Sequence, residues 1–165
     1  MILCYNSSMR RDEKWLFQKL DEVWDTYFAD VPQNNDVKIV WGRKARQRLG
    51  SIKQGKQISG KHPESIITIN ALFKDLAVPE FVIIATIGHE LVHYTHGFNS
   101  PLERKYSKPH EGGIVHQELA NRGLDKLEKK QTKWLKENWK DYLNENLPQK
   151  IKVQKVKRKI IIKWI

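Results

Sequence analysis

Three histidines and one glutamate lie close together in residues 87–97, which read IGHELVHYTHG. His89, Glu90 and His93 form the pattern H-E-x-x-H. On an α-helix, residues four apart share a face, so both imidazoles could bind one metal ion. Glu90 is rotated by about 100° from His89, so it can reach a metal-activated water without being a ligand. The pattern predicts a zinc site, because zinc binds neutral imidazole and can keep a coordination position open for water.

A catalytic zinc site needs a third protein ligand, and four residues downstream could supply it. His96 is on the same predicted helix, but it would line up with His89 and His93 only by stretching one narrow face over two turns. His110 follows a loop and a proline, which give the chain freedom to return to the metal. His116 and Glu118 lie on the next predicted helix. The sequence favours His110, and Glu118 is the alternative third ligand.

The hydrophobic pattern predicts the elements in front of this motif. Residues 11–30 place apolar side chains at helical spacing and form an amphipathic helix. Residues 37–41, 49–54 and 65–70 are predicted strands, and the third is rich in β-branched residues. A basic turn, GRKARQR, separates the first two strands, and the sheet is expected to be small and antiparallel.

The second half of the chain is predicted to be mainly helical. The helix that carries the motif should span about residues 79–96, since its first residue is a proline. Residues 97–111 contain two prolines and no periodicity, which predicts a long loop. Helices should follow at about 114–122 and 125–145, and the tail 150–165 is a candidate strand. The pattern as a whole indicates an α+β fold.

Length and composition limit the class of protein. The chain is long enough for one domain with a core of its own. Its longest apolar run, residues 81–85, is far shorter than the roughly 20 residues that span a membrane. The N-terminus lacks the apolar segment of a signal peptide, and Cys4 is the only cysteine. We therefore expect no membrane partner and a reducing, cytoplasmic location.

Positive charge is concentrated at the C-terminal end of the chain. Residues 126–165 hold 13 Lys and Arg against 4 Asp and Glu, a net charge of +9 out of +11 for the chain. Such a segment favours a polyanion partner such as nucleic acid, although a solvated lysine-rich surface has the same composition.

Four segments taken in order resemble the SprT-like zinc metalloprotease domain. They are WGRKARQRLG at residues 41–50, ITIN at 67–70, H-E-L-x-H at 89–93 and P-H-x-G at 109–112. The similarity covers residues 10–125 and leaves 126–165 as a basic extension, expected to pack on the same domain. It implies a zincin-like metalloprotease fold with His110 as the third zinc ligand. The best-known members of the family degrade proteins crosslinked to DNA.

The predicted activity is therefore that of a zinc endopeptidase acting on a protein or peptide substrate. Glu90 would accept a proton from the metal-activated water and pass it to the leaving amine. Tyr106 and His116 are candidates for stabilising the oxyanion, because they lie in the predicted loop or just after it.

A nucleic-acid-binding module with a structural zinc site is the alternative function. A closed site of that kind would need a fourth protein ligand, for which His96 and Glu118 are the candidates. The tryptophans among the C-terminal lysines, Trp134, Trp139 and Trp164, could stack on bases, but the spacing of the first two favours a place in the core.

Overall fold

The computed structural model describes residues 11–57 and 59–147, which form an α+β fold. The helices are α1 Glu13–Tyr27, α2 Glu80–Thr95, α3 Ile114–Asn121, α4 Asp125–Trp134 and α5 Lys140–Asn146. The strands are β1 Val37–Trp41, β2 Gly50–Gln54 and β3 Ser65–Ile69. Short 3₁₀ helices at Ala71–Lys74 and Glu111–Gly113 and a π-helical segment at Leu135–Trp139 complete the elements. Among the described residues, none of the helices combines the length and apolarity that a membrane span requires.

The first helix forms where the amphipathic pattern predicts it. Asp12 caps α1, and its carboxylate accepts a hydrogen bond of 2.8 Å from the backbone N–H of Trp15. Leu16, Leu20 and Val23 lie on the buried face of the helix. They join the sheet and α2 in one hydrophobic core.

The sheet is mixed, so the predicted antiparallel sheet is wrong. Strand order is β1-β3-β2, with β1 parallel to β3 and β2 antiparallel to β3. β3 therefore lies between the two strands that the sequence suggested were neighbours. The connection after β1 crosses the end of β3 and is held there by Asn70. The side chain of Asn70 donates to the carbonyl oxygens of Ala45 and Arg48, at 2.7 and 2.9 Å.

The helix that carries the histidine motif lies in the middle of the core. Twelve of the sixteen residues of α2 are buried, because the sheet, α1, α3 and α4 all pack against it. Gln131 ties α4 to α2, since its side-chain amide donates to the carbonyl oxygen of Val82 and to the hydroxyl of Thr86, at 2.9 and 2.8 Å. The motif is thus held on a rigid element.

The predicted helix at 125–145 is interrupted by the π-helical segment. Trp139 lies at its end, is 9 % exposed, and donates its indole N–H to the carbonyl oxygen of Arg46 at 2.9 Å. It also stacks on Tyr142, with the ring centroids 5.4 Å apart. Trp139 is therefore a core residue. The predicted strand at 150–165, including Trp164, lies outside the described residues.

Gly97 begins the long loop after α2, and its conformation and close packing indicate that any side chain there would lower the stability of the fold. Its φ is 77°, and a Cβ would lie 2.5 Å from the carbonyl oxygen of Glu103. Gly97→Ala should therefore lower the free energy of unfolding by about 2–4 kcal/mol, as measured by denaturant titration. Gly123 is the control, since its φ is 78° with nothing within 4 Å of a Cβ. An equal loss in Gly97→Ala and Gly123→Ala would contradict the close packing of this loop.

Candidate metal centre

Two ligand candidates are fixed by the geometry of α2. His89 and His93 are one helical turn apart, and their Nε2 atoms are 3.2 Å from each other. In a tetrahedral site with zinc–nitrogen bonds of about 2.0–2.1 Å, two ligand nitrogens are about 3.3 Å apart. The two imidazoles thus already have the spacing that one metal ion requires.

The long loop returns to α2 and brings in His110. Backbone N–H groups of Phe98 and Lys105 donate to the carbonyl oxygens of His93 and His96, at 2.9 and 3.1 Å. These bonds fix the start of the loop to the end of the helix. The ring of His110 then lies 4.6 Å from that of His93 and 5.4 Å from that of His89, measured between centroids. The sequence predicted that this loop could return to α2, and the structure gives the distance between His110 and the two helical histidines.

The turn after His110 depends on two consecutive glycines. Gly112 and Gly113 have φ values of 56° and 76°, in the left-handed region that favours glycine. They lead the chain directly into α3. The exposed His110 can therefore face α2 while the next helix packs on the core.

The three histidines have the properties of a metal-binding group. Their ligand atoms all lie within 4.8 Å of one another. Burial, with neighbouring imidazoles as a second cause, lowers the pKa of His89 to about 4 and that of His93 to about 3. Both rings are therefore neutral at pH 7, which is the form that binds a metal. His93 Nδ1 is buried without a hydrogen-bond partner among the described residues. The group can hold a metal ion.

Glu90 lies beside this group and is 5 % exposed. Burial raises the pKa of its carboxyl to about 8, although the backbone N–H of Ile52 and the charge of Arg48 both favour the ionised form. A cation held by the histidines would lower that pKa again. The carboxylate fits closely against β2, since a Cβ on Gly50 would lie 2.9 Å from Glu90 Oε1. Glu90 is thus positioned by the absence of a side chain at Gly50.

Glu118, the alternative third ligand, has other partners in the structure. Its carboxylate accepts a 2.7 Å hydrogen bond from Arg122 Nε and lies 3.7 Å from Nε2 of the buried His96. Arg122 also donates to the carbonyl oxygen of Tyr27 at 2.8 Å and to the carboxylate of Asp30 at 2.7 Å. Glu118 and His96 therefore belong to a network that joins α3 to α1 and α2.

The two oxyanion candidates differ in position. Tyr106 packs on the ring of His96, with the centroids 4.8 Å apart, and does not line the cleft. His116 Nδ1 is 2.5 Å from Glu128 Oε1 on α4. It is close enough to contribute to the lowered pKa of His89. Neither Tyr106 nor His116 is among the residues that line the cleft.

A cleft opens beside the histidine group as two adjoining cavities of about 240 and 280 Å³. Both are lined by His89, Glu90 and Gly50. The lining residues that had no role in the sequence-based site include Arg48, Gly50, Asn99 and Gln131. Three of them are distant from the motif in sequence and meet it only through the fold. Gly50 ended one of the segments that carry the SprT-like resemblance, which was a signal of its importance.

Comparison with known proteins finds no matching family model, no matching curated protein and no matching solved structure. The geometry of the site is therefore the basis for assigning a function.

Proposed function

We propose that this protein is a zinc-dependent endopeptidase with a zincin-like fold, as its resemblance to SprT-like domains implies. The observation that carries the proposal is the convergence of His89, His93 and His110 beside the buried carboxylate of Glu90 in an open cleft. Three protein ligands and an adjacent carboxylate are the components of a hydrolytic zinc site.

The donor set supports zinc as the metal. Neutral imidazole is a good ligand for zinc, and sites with three protein ligands keep a position free for water or substrate. A bound zinc ion would supply a Lewis acid and would lower the pKa of a bound water. Glu90 supplies the proton transfer: its carboxylate accepts a proton from the attacking water and delivers it to the leaving amine.

The competing proposal, a structural zinc in a nucleic-acid-binding module, needs a fourth protein ligand. Within residues 11–57 and 59–147, the group contains three histidines, and both candidates for the fourth position have other partners. This geometry favours a catalytic centre. Binding of nucleic acid by the basic segment 126–165 stays a prediction, and residues 148–165 of that segment lie outside the described residues.

Removal of the metal tests the proposal. The purified protein should cleave a casein-like substrate, lose this activity on treatment with a zinc chelator, and recover it when zinc is added back. Magnesium is the control, because it prefers oxygen ligands and should not restore cleavage at a site made of three imidazoles. A zinc-loaded protein that leaves the substrate intact would contradict the assignment as a peptidase.

A further inference from the structure

Next to the cleft, on the other side of Gly50, lies a separate cavity that we call the cationic pocket. It has a volume of about 460 Å³ and lies between the β1–β2 connection and the solvent-facing side of the sheet. Three cationic side chains line it, those of Arg43, Arg48 and Lys53. Most of its other lining residues are small or polar, among them Gly42, Ser51, Thr68 and Asn70, and Leu49 and Ile69 are the larger apolar ones.

No acidic side chain is among the residues that line this pocket. Residues 37–61 contain eight Lys and Arg and no Asp or Glu. Lys38 forms an ion pair with Glu64, whereas the exposed side chains of Arg43, Arg48 and Lys53 form none within the described part of the chain. Arg48 also lines the cavity that contains Glu90, and its charge favours the ionised form of that carboxylate. A cluster of unpaired cations around a concave surface attracts an anion.

The cationic pocket and the cleft share part of their lining. Arg48, Leu49 and Gly50 line both this pocket and the cavity that contains His89 and Glu90. An anionic group in the pocket would therefore sit next to the site of proposed bond cleavage. A substrate chain that lies in the cleft can place one of its own side chains there.

We propose that the cationic pocket binds the carboxylate of an aspartate or glutamate side chain of the substrate, so that the protein selects acidic residues near the scissile bond. This inference rests on the proposed peptidase function. Arginine suits the role, because its planar guanidinium can bind both oxygens of a carboxylate.

The lining of the pocket favours a polypeptide over a nucleic acid. Proteins that bind single-stranded nucleic acid combine a basic groove with aromatic side chains on which bases stack. The residues that line the cationic pocket include no aromatic side chain. The cations and polar groups present suit a carboxylate as well as a phosphate, so the missing stacking surface is what favours a polypeptide.

A set of matched peptides tests this specificity. Each fluorogenic peptide carries a single glutamate, which is moved one position at a time along a neutral sequence, and each has a partner with glutamine at the same position. For at least one position, the zinc-loaded protein should cleave the glutamate peptide with a kcat/KM about fivefold higher than that of its partner. The ratio should fall toward one in the Arg43→Gln/Lys53→Gln double variant and at high salt. Lys44→Gln is the matched control, because Lys44 is on the same loop but does not line the pocket, and it should keep the ratio.

Binding measurements separate failure of this inference from failure of the peptidase assignment. The zinc-loaded Glu90→Gln protein is titrated with the same peptide pairs and with a labelled oligothymidylate. Cleavage of both members of every pair at equal rates would leave the peptidase in place and overturn the acidic specificity. If no peptide is cleaved but the glutamate peptides bind more tightly, and the double variant loses that preference, the assignment of the pocket stands and the peptidase assignment is wrong. If only the oligothymidylate depends on Arg43 and Lys53, the pocket is a nucleic-acid site and the inference is wrong.

Discussion

Glu90→Gln is expected to leave zinc bound to the protein and to remove nearly all hydrolysis. Glutamine keeps the size of the side chain, so the close fit against Gly50 and the core is preserved. It cannot accept a proton, however, and proton transfer by a positioned group contributes about 10²–10⁴-fold to the rate. Since Glu90 is not one of the three ligand candidates, zinc content should stay at the wild-type value.

The measurement is kcat/KM on a casein-like substrate together with zinc content of the same preparation. Glu103→Gln is the control, because it makes the same chemical change at an exposed glutamate in the long loop and should keep the wild-type rate. A Glu90→Gln protein that cleaves at the rate of the control would contradict the proposed mechanism.

The second large effect concerns the third ligand. His110→Ala should weaken zinc binding about a hundredfold, whereas Glu118→Ala should change it by less than about twofold. The first figure follows from the zinc-binding free energy of a four-ligand site, which is roughly 10–16 kcal/mol. One of the four ligands supplies about 3 kcal/mol of it. The second follows from the partners of Glu118, which are Arg122 and His96 and not the metal group.

Zinc affinity is measured by competition with a chromophoric chelator, and the free energy of unfolding of each variant is measured beside it. His110 is exposed, so its loss should leave the fold intact, and weaker zinc binding then reports the ligand itself. Glu118→Ala should instead cost about 1–3 kcal/mol of stability, because Arg122 loses a charged partner. The opposite pattern, with zinc lost in Glu118→Ala and kept in His110→Ala, would make Glu118 the third ligand.

The position of the H-E-x-x-H helix could be predicted because it depends on local sequence alone. Two histidines four residues apart share a face in any α-helix, and the apolar run before them places that helix in the core. The ion pair of Glu118 with Arg122 has helical spacing, which is a sequence signal that the prediction of Glu118 as a possible ligand did not use. The contact of His110 with α2 joins residues that are far apart in sequence. Local pattern therefore could not predict it, and the resemblance to the SprT-like family was the signal that suggested it.

Sheet topology could not be predicted, because a strand's alternating pattern gives its buried face and not its neighbour. The connection that passes over the end of β3 is held by Asn70, whose hydrogen bonds reach residues more than twenty positions away. The same long-range connection carries Arg48 and Gly50 to the cleft. The residues that line the cleft from other elements could therefore be identified only from the three-dimensional structure.

Anomalous diffraction at the zinc absorption edge, recorded from crystals of the zinc-loaded protein, tests the central claim most directly. The claim predicts one peak, about 2.0–2.1 Å from a ring nitrogen of each of His89, His93 and His110, with solvent in the fourth position. A peak at another site, or a fourth protein ligand that closes the coordination sphere, would contradict it.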